Sequence, residues 1–116
     1  TDIERGGSFA SIVGTMELIE KKYVELVQGF IINKFRGDIE ILKPGYKKLR
    51  EKTGLPVLGT IPMTKFEIPD EDSIGNSSKN LNWTPSNVKK LDKEINKIAK
   101  VVKSSLNIRK VEKLLK

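Results

Sequence analysis

Two short apolar runs constrain this chain more than any other feature: Leu26-Val27-Gln28-Gly29-Phe30-Ile31-Ile32 and Leu55-Pro56-Val57-Leu58-Gly59-Thr60-Ile61-Pro62. Each is too short for a helix, is enriched in β-branched and aromatic residues, and lacks the alternation of a strand with one wet face. Near-continuous apolarity implies burial on both faces, which is the condition of a strand inside a parallel sheet. The residues between the runs suit a crossover. Asn33-Lys34-Phe35-Arg36-Gly37-Asp38 reads as a polar, Gly-containing loop. Ile39, Ile41, Leu42, Tyr46 and Leu49 then recur at helical spacing, with an interruption near Pro44-Gly45, up to Gly54 as the residue past the helix end. Upstream, Ser8 offers an N-cap, and Phe9, Ile12, Val13, Met16 and Ile19 predict a helix over 9–20. The order helix, strand, helix, strand implies right-handed crossovers and an α/β fold, a parallel sheet covered by helices on both faces. Two strands do not complete such a sheet.

Residues 63–83 read as a loop, with the acidic cluster Asp70-Glu71-Asp72 followed by a stretch rich in Ser, Asn and Gly. Thr84-Pro85 is a helix start, since proline at the first helical position loses no needed hydrogen bond. Val88, Leu91, Ile95, Ile98 and Val102 follow at spacings of three and four, with lysines mainly between them. That stripe predicts a helix docked on the sheet, although a basic helix lying on a membrane surface has the same pattern. A final short helix, capped by Asn107, places Ile108, Val111 and Leu115 on one side. Charge is unevenly distributed: residues 1–78 carry 11 basic and 12 acidic side chains, residues 79–116 carry 11 basic and 3 acidic. Clustered cations raise nucleic acid or an anionic membrane as partners, through counterion release. The amphipathic spacing favours a solvated lysine face on a docked helix instead.

With no cysteine and no histidine, disulfides, thiolate metal sites, cysteine nucleophiles and histidine bases are all excluded. No apolar stretch reaches the roughly 18 residues of a membrane-spanning helix, and the first residues lack signal-peptide character, so a cytoplasmic location is expected. There is no G-x-x-x-x-G-K-S/T, hence no phosphate-cradling P-loop within these residues.

Two segments carry candidate chemistry. Asp2-Ile3-Glu4-Arg5-Gly6-Gly7-Ser8 lies where a strand would end and a helix begin, the edge that holds ligands in parallel α/β folds. Glycines allow close backbone approach to an anion, the acids suit Mg²⁺ or a reacting carboxylate, with Asp2 as the metal candidate, and Arg5 can clamp an oxyanion. An ordinary glycine turn with a surface ion pair fits the pattern equally well. Asn33 follows the first strand, where its amide can read a purine edge, and Lys34 and Arg36 can face phosphates. A polar loop with incidental charges is the alternative. Glu71 and its acidic neighbours suit a cation or a ribose hydroxyl, or are simply solvated.

Taken together and in order, DIERGGSFASIVGT, GFIINKFRGD, LKPG, TGLPVLGTIP and PDEDS resemble the cobyric acid synthase family over residues 1 to about 74. That family opens on Asp-Ile-Asp-Arg-Gly-Gly, and Glu4 stands here in place of its second Asp. The resemblance implies a P-loop NTPase-like domain similar to dethiobiotin synthetase, a three-layer parallel sheet whose N-terminal half, with the P-loop, is missing here. Residues 1–83 would be the C-terminal half of that domain and residues 84–116 a basic helical tail packed on it. It further implies ATP with Mg²⁺ as cofactors. The activity would be glutamine-dependent amidation of the side-chain carboxylates of a corrinoid, adenosylcobyrinic acid a,c-diamide, in cobalamin biosynthesis. The glutamine amidotransferase domain would be a further missing partner, and a homodimer a possible assembly. By the same resemblance Asp2, Glu4 and Arg5 would be catalytic, and Gly6, Gly7 and Ser8 would meet the substrate. Asn33, Lys34, Arg36, Pro62 and Glu71 would meet the nucleotide.

The tail departs from the family pattern and finishes like free-standing relatives of dethiobiotin synthetase, which suggests a natural end at Lys116. The alternatives are a stand-alone homologue that pairs with a separate P-loop chain or serves as a regulatory partner, and a basic nucleic-acid or membrane-surface module.

Overall fold

The computed structural model describes residues 1–67 and 85–114. The acidic cluster with Glu71, the helix-start residue Thr84, and Leu115 lie outside the described residues.

The order is α1 (Ser8–Leu18), α2 (Lys21–Val24), β1 (Phe30–Phe35), a 3₁₀ turn (Ile39–Leu42), α3 (Lys43–Thr53), β2 (Val57–Pro62), α4 (Pro85–Ser105) and α5 (Ile108–Lys113). The fold is α/β, and β1 and β2 pair in parallel, as the two apolar runs imply. Residues 1–3 run along the other side of β1, also in parallel. Asn33 N donates to Thr1 O at 2.8 Å, Ile3 N donates to Asn33 O at 3.0 Å, and Asp2 bridges Asn33. β1 is therefore flanked on both sides, and Ile32 at its centre, covered by residues of α1 and α3, is fully buried.

Burial joins Ile32 and Phe35 on β1 to Ile12 of α1, Leu42 of the 3₁₀ turn and Leu49 of α3, with Phe9, Tyr46 and Val57 packed around them. Phe9 and Tyr46 meet edge-to-face at 6.4 Å between ring centroids, joining α1 to α3. The Tyr46 hydroxyl is hydrogen-bonded to the buried Thr60 hydroxyl, so the polar ends of both side chains are satisfied under the sheet.

Several sequence expectations need correction. The apolar run at 26–32 is not all strand: Leu26 is 73% exposed, α2 and its turn occupy the chain to that point, and the strand begins at Phe30. At its other end β1 continues through Asn33 and Lys34, residues expected in a loop, because they bond to residues 1–3. Pro44 opens α3 at its first turn instead of interrupting a helix, which suits a residue without an N–H. Ile39 and Ile41, placed on the apolar stripe, are exposed on the 3₁₀ turn. Gly54 ends α3 in the left-handed conformation, as expected. Ser8 is not an N-cap: Gly7 holds that position at φ 78°, and Ser8 is the first helical residue.

The tail docks on the sheet, and its end provides the attachment. Asn107 N donates to Leu58 O at 2.8 Å, and Gly59 forms an antiparallel bridge with Leu106. Further up α4, Lys97 Nζ donates to Lys65 O at 2.9 Å and Glu94 accepts from Glu67 N at 3.2 Å. Ile98 and Val102 are half-buried, but Val88 and Ile95 are exposed, so the stripe is covered over only part of its length. Asn107 caps α5 by accepting from Lys110 N, as expected.

Gly59 is the position where this docking requires glycine. A Cβ there would meet Ser105 O and stand 2.8 Å from Leu106 Cα, both backbone atoms. Gly59→Ala is therefore expected to destabilise the fold by about 1–3 kcal/mol, the range for overpacking, and to release the tail first. Amide hydrogen exchange checks this: protection of the Asn107 N–H should be lost while Ile32 keeps its own.

Candidate functional site

Because residues 1–3, β1 and β2 run parallel, their carboxyl ends reach one edge of the sheet. That edge carries Asp2, Glu4 and Arg5 from the first segment, Asn33 and Lys34 from β1, Arg36 just past its end, and Pro62 from β2. The two motifs read separately from the sequence are thus one cluster. Lys34 Nζ donates to Asp2 Oδ2 at 2.7 Å, and Arg36 Nε stands 2.8 Å from Glu4 Oε1. Asp2 Oδ1 also accepts from Glu4 N at 3.1 Å. The Arg5 guanidinium is exposed and joins none of the ion pairs among the described residues.

The loop from Asp2 to α1 is tied from within. Ser8 is 6% exposed, and its hydroxyl is directed at Asp2 O at 2.8 Å and Arg5 O at 2.5 Å. It therefore holds the turn closed, with its oxygen directed inward. Gly6 and Gly7 form the outside of that turn, and Gly7 adopts a left-handed φ that a β-carbon would strain.

β1 carries a bulge here. From Ile32 to Phe35 it advances three residues while β2 advances two, from Thr60 to Pro62. Lys34 sits in the bulge at φ 61°, and its N–H donates to Asn33 Oδ1 at 2.9 Å. Pro62 helps line a cleft of about 370 Å³, walled by Phe35, Gly37, Ile39, Thr60 and Ser105. Asn33 does not line it, since its backbone pairs toward residues 1–3. Sequence reading missed the Asp2–Lys34 and Glu4–Arg36 pairs. The signal was present: acids at i and i+2 on one segment, bases at i and i+2 on its parallel neighbour.

The Asp2 carboxyl is held below the usual carboxylate range. The hydrogen bond from Lys34 is the largest cause, opposed by partial burial and reinforced by the Glu4 N–H and by the charges of Lys34 and Arg5. Among the described residues no three acidic side chains gather to hold a metal ion. Each Asp2 oxygen accepts one hydrogen bond, so a cation at this carboxylate would share it with Lys34 and the Glu4 N–H.

Residues 2–74 match the CobQ/CobB/MinD/ParA nucleotide binding domain. The chain belongs to this family. Among curated relatives it is 60% identical over 78 residues to a probable cobyric acid synthase of Methanosarcina barkeri, covering 67% of this chain and 16% of that protein. The probable cobyric acid synthase of Thermococcus kodakarensis is 55% identical over 78 residues, with the same coverage. The cobyric acid synthase of Carboxydothermus hydrogenoformans is 58% identical over 74 residues, 63% of this chain and 15% of that protein. The chain thus spans about a sixth of the length of these relatives. No solved structure matches it. Resemblance and family agree, and the matched stretch contains the whole charged edge. No helix among the described residues is long and apolar enough to cross a membrane.

A depressed carboxyl group contributes stability above its unfolded pKa, and that contribution is lost as pH falls through the folded value. Asp2 is accordingly expected to titrate below the usual carboxylate range in an NMR pH titration. Lys34→Met should return it toward that range. An Asp2 titration unchanged by the substitution would show that the ion pair does not form.

Proposed function

We propose that this chain forms part of a cobyric acid synthase-like ligase. It would contribute nucleotide-base and substrate-carboxylate contacts to the ATP- and glutamine-dependent amidation of corrinoid side-chain carboxylates. The carrying observation is the single sheet edge at which Asp2, Glu4 and Arg5 meet Asn33, Lys34 and Arg36, inside the stretch shared with the synthases.

In this reading the described strands belong to a larger three-layer sheet of the dethiobiotin synthetase kind. Residues 1–83 are the C-terminal half of that domain, and residues 84–116 are a tail packed on it. The P-loop half and the glutamine amidotransferase domain are supplied by other residues. ATP, once bound, provides the phosphoryl group that activates a carboxylate. Asn33 and the backbone around Pro62 meet its base, and Glu71 approaches the ribose. The Asn33 Oδ1 accepts from Lys34 N and keeps a second lone pair for the adenine amino group, while its amide nitrogen donates to a ring nitrogen. Mg²⁺ would accompany the nucleotide, and Asp2 is the carboxylate of this edge that would meet it.

Arg5, exposed beside the glycine turn, is the cation left to meet a substrate carboxylate, and it matters most as negative charge develops. A second reading, a stand-alone partner of a separate P-loop chain, differs only in where the phosphate cradle comes from. The basic tail as a nucleic-acid or membrane module is disfavoured by its docking on β2.

The 116-residue chain by itself should release no phosphate from ATP in the presence of Mg²⁺, ammonia and the diamide. Phosphoryl transfer depends on a phosphate cradle, and these residues contain no P-loop motif. Function is testable in a chimaera in which the matched segment of this chain replaces that of the Methanosarcina barkeri relative. There Asn33→Ala should weaken ATP by about 1–3 kcal/mol, as for a lost buried hydrogen bond, and GTP much less. Equal loss for both nucleotides would make Asn33 scaffold. Arg5→Ala should lower kcat/KM for the corrinoid by roughly 10²-fold, about 3 kcal/mol, with little change in melting temperature. A clear drop in melting temperature with unchanged kinetics would remove Arg5 from the site.

A further inference from the structure

Lys34 is the one non-glycine residue with positive φ among the described residues. A β-carbon crowds the backbone in that conformation, so a lysine there is retained where its side chain is used. The bulge determines what that use is. In an unbroken strand, Lys34 would point to the same face as Ile32, two residues before it, which is fully buried. The extra residue breaks the alternation: Ile32 and Phe35 are buried, while Asn33 and Lys34 are both exposed. The long side chain is thereby re-aimed along the sheet edge onto Asp2 Oδ2.

Asp2 is the first tie of the loop that follows. Its other oxygen takes the Glu4 N–H, its carbonyl takes the Ser8 hydroxyl, and the same hydroxyl bonds Arg5 O. Any displacement of Asp2 passes through these bonds to Arg5 and to the Gly6-Gly7 turn. We propose that Lys34 is a positioning residue: from the β1 bulge it fixes Asp2, and through Asp2 the loop that presents Arg5 and the glycine turn to the substrate carboxylate. This rests on the ligase reading for the identity of the substrate, but not for the positioning itself.

Positioning is read in the 116-residue chain by NMR. Lys34→Met should shift the Glu4, Gly6 and Gly7 amides, and Asp2→Asn should shift the same set. Lys34→Gly relieves the strained backbone and should keep or raise thermal stability while producing those same shifts, which separates the charge from the strain. Unmoved Gly6 and Gly7 amides in both Lys34 variants would overturn the proposal whatever the chain catalyses. The chimaera then reads the consequence. Lys34→Met should lower kcat for corrinoid amidation by about 10- to 100-fold, the scale of a small misplacement of a reacting group, with KM for ATP within a few fold. Lys34→Arg should recover most of the loss, because a guanidinium still donates to Asp2. A raised KM for ATP with kcat unchanged would make Lys34 a nucleotide contact and overturn positioning. An unsubstituted chimaera inactive on the diamide would instead count against the ligase reading, leaving the amide shifts to decide the role of Lys34.

Discussion

Everything placed at the sheet edge depends on β1 being paired in parallel on both of its sides. Parallel pairing makes strand ends coincide, so residues distant in sequence arrive together without any long connection being threaded between them. Residues 1–3 and residues 57–62 reach the same edge only because each takes its hydrogen bonds from β1. The same double pairing places Ile32 at the middle of the sheet, where α1, the 3₁₀ turn and α3 collect their apolar residues around it. Core and edge therefore share one cause, and loss of the pairing would dissolve both.

The two ion pairs at the edge are arranged more for geometry than for stability. The Arg36 and Glu4 side chains are 68% and 40% exposed, and pairs of that kind contribute about 0–1 kcal/mol. Their effect is to neutralise four charges in place and leave Arg5 uncommitted. That is the condition the proposed role of Arg5 requires. The left-handed Lys34 fits the same pattern, since strain of this kind persists where the surrounding bonds over-determine it.

The sequence made the parallel α/β arrangement legible because its cause, continuous apolarity in two short runs, is local. Gly54 and Asn107 were legible for the same reason, each ending or starting a helix by its own chemistry. What could not be read was pairing. Leu26 and Val27 belong to the apolar run but precede the strand, and only the partner of β1 determines that it starts at Phe30. Asn33 and Lys34 look like loop residues because they are polar, yet they are strand residues whose neighbour is the segment at 1–3. The candidate site residues were all visible as types, Glu71 included, although it lies outside the described residues. That Lys34 reaches Asp2 along the sheet edge depends on a bulge, and a bulge arises from mismatched advance along two strands, which neither strand shows alone. Ser8 shows the limit from the other side: its position before a helical stripe suggested a cap, but the glycine before it took that role and turned the hydroxyl inward.

The most direct test of this account is amide hydrogen exchange at Ile3 and Asn33 in the 116-residue chain. Their N–H groups bond across the pairing of residues 1–3 with β1, and neither is within a helix. Both should exchange slowly, with protection approaching that of Ile32. Rapid exchange at both, with Ile32 still protected, would mean that the first segment does not pair with β1. The charged edge and the roles built on it would then be contradicted.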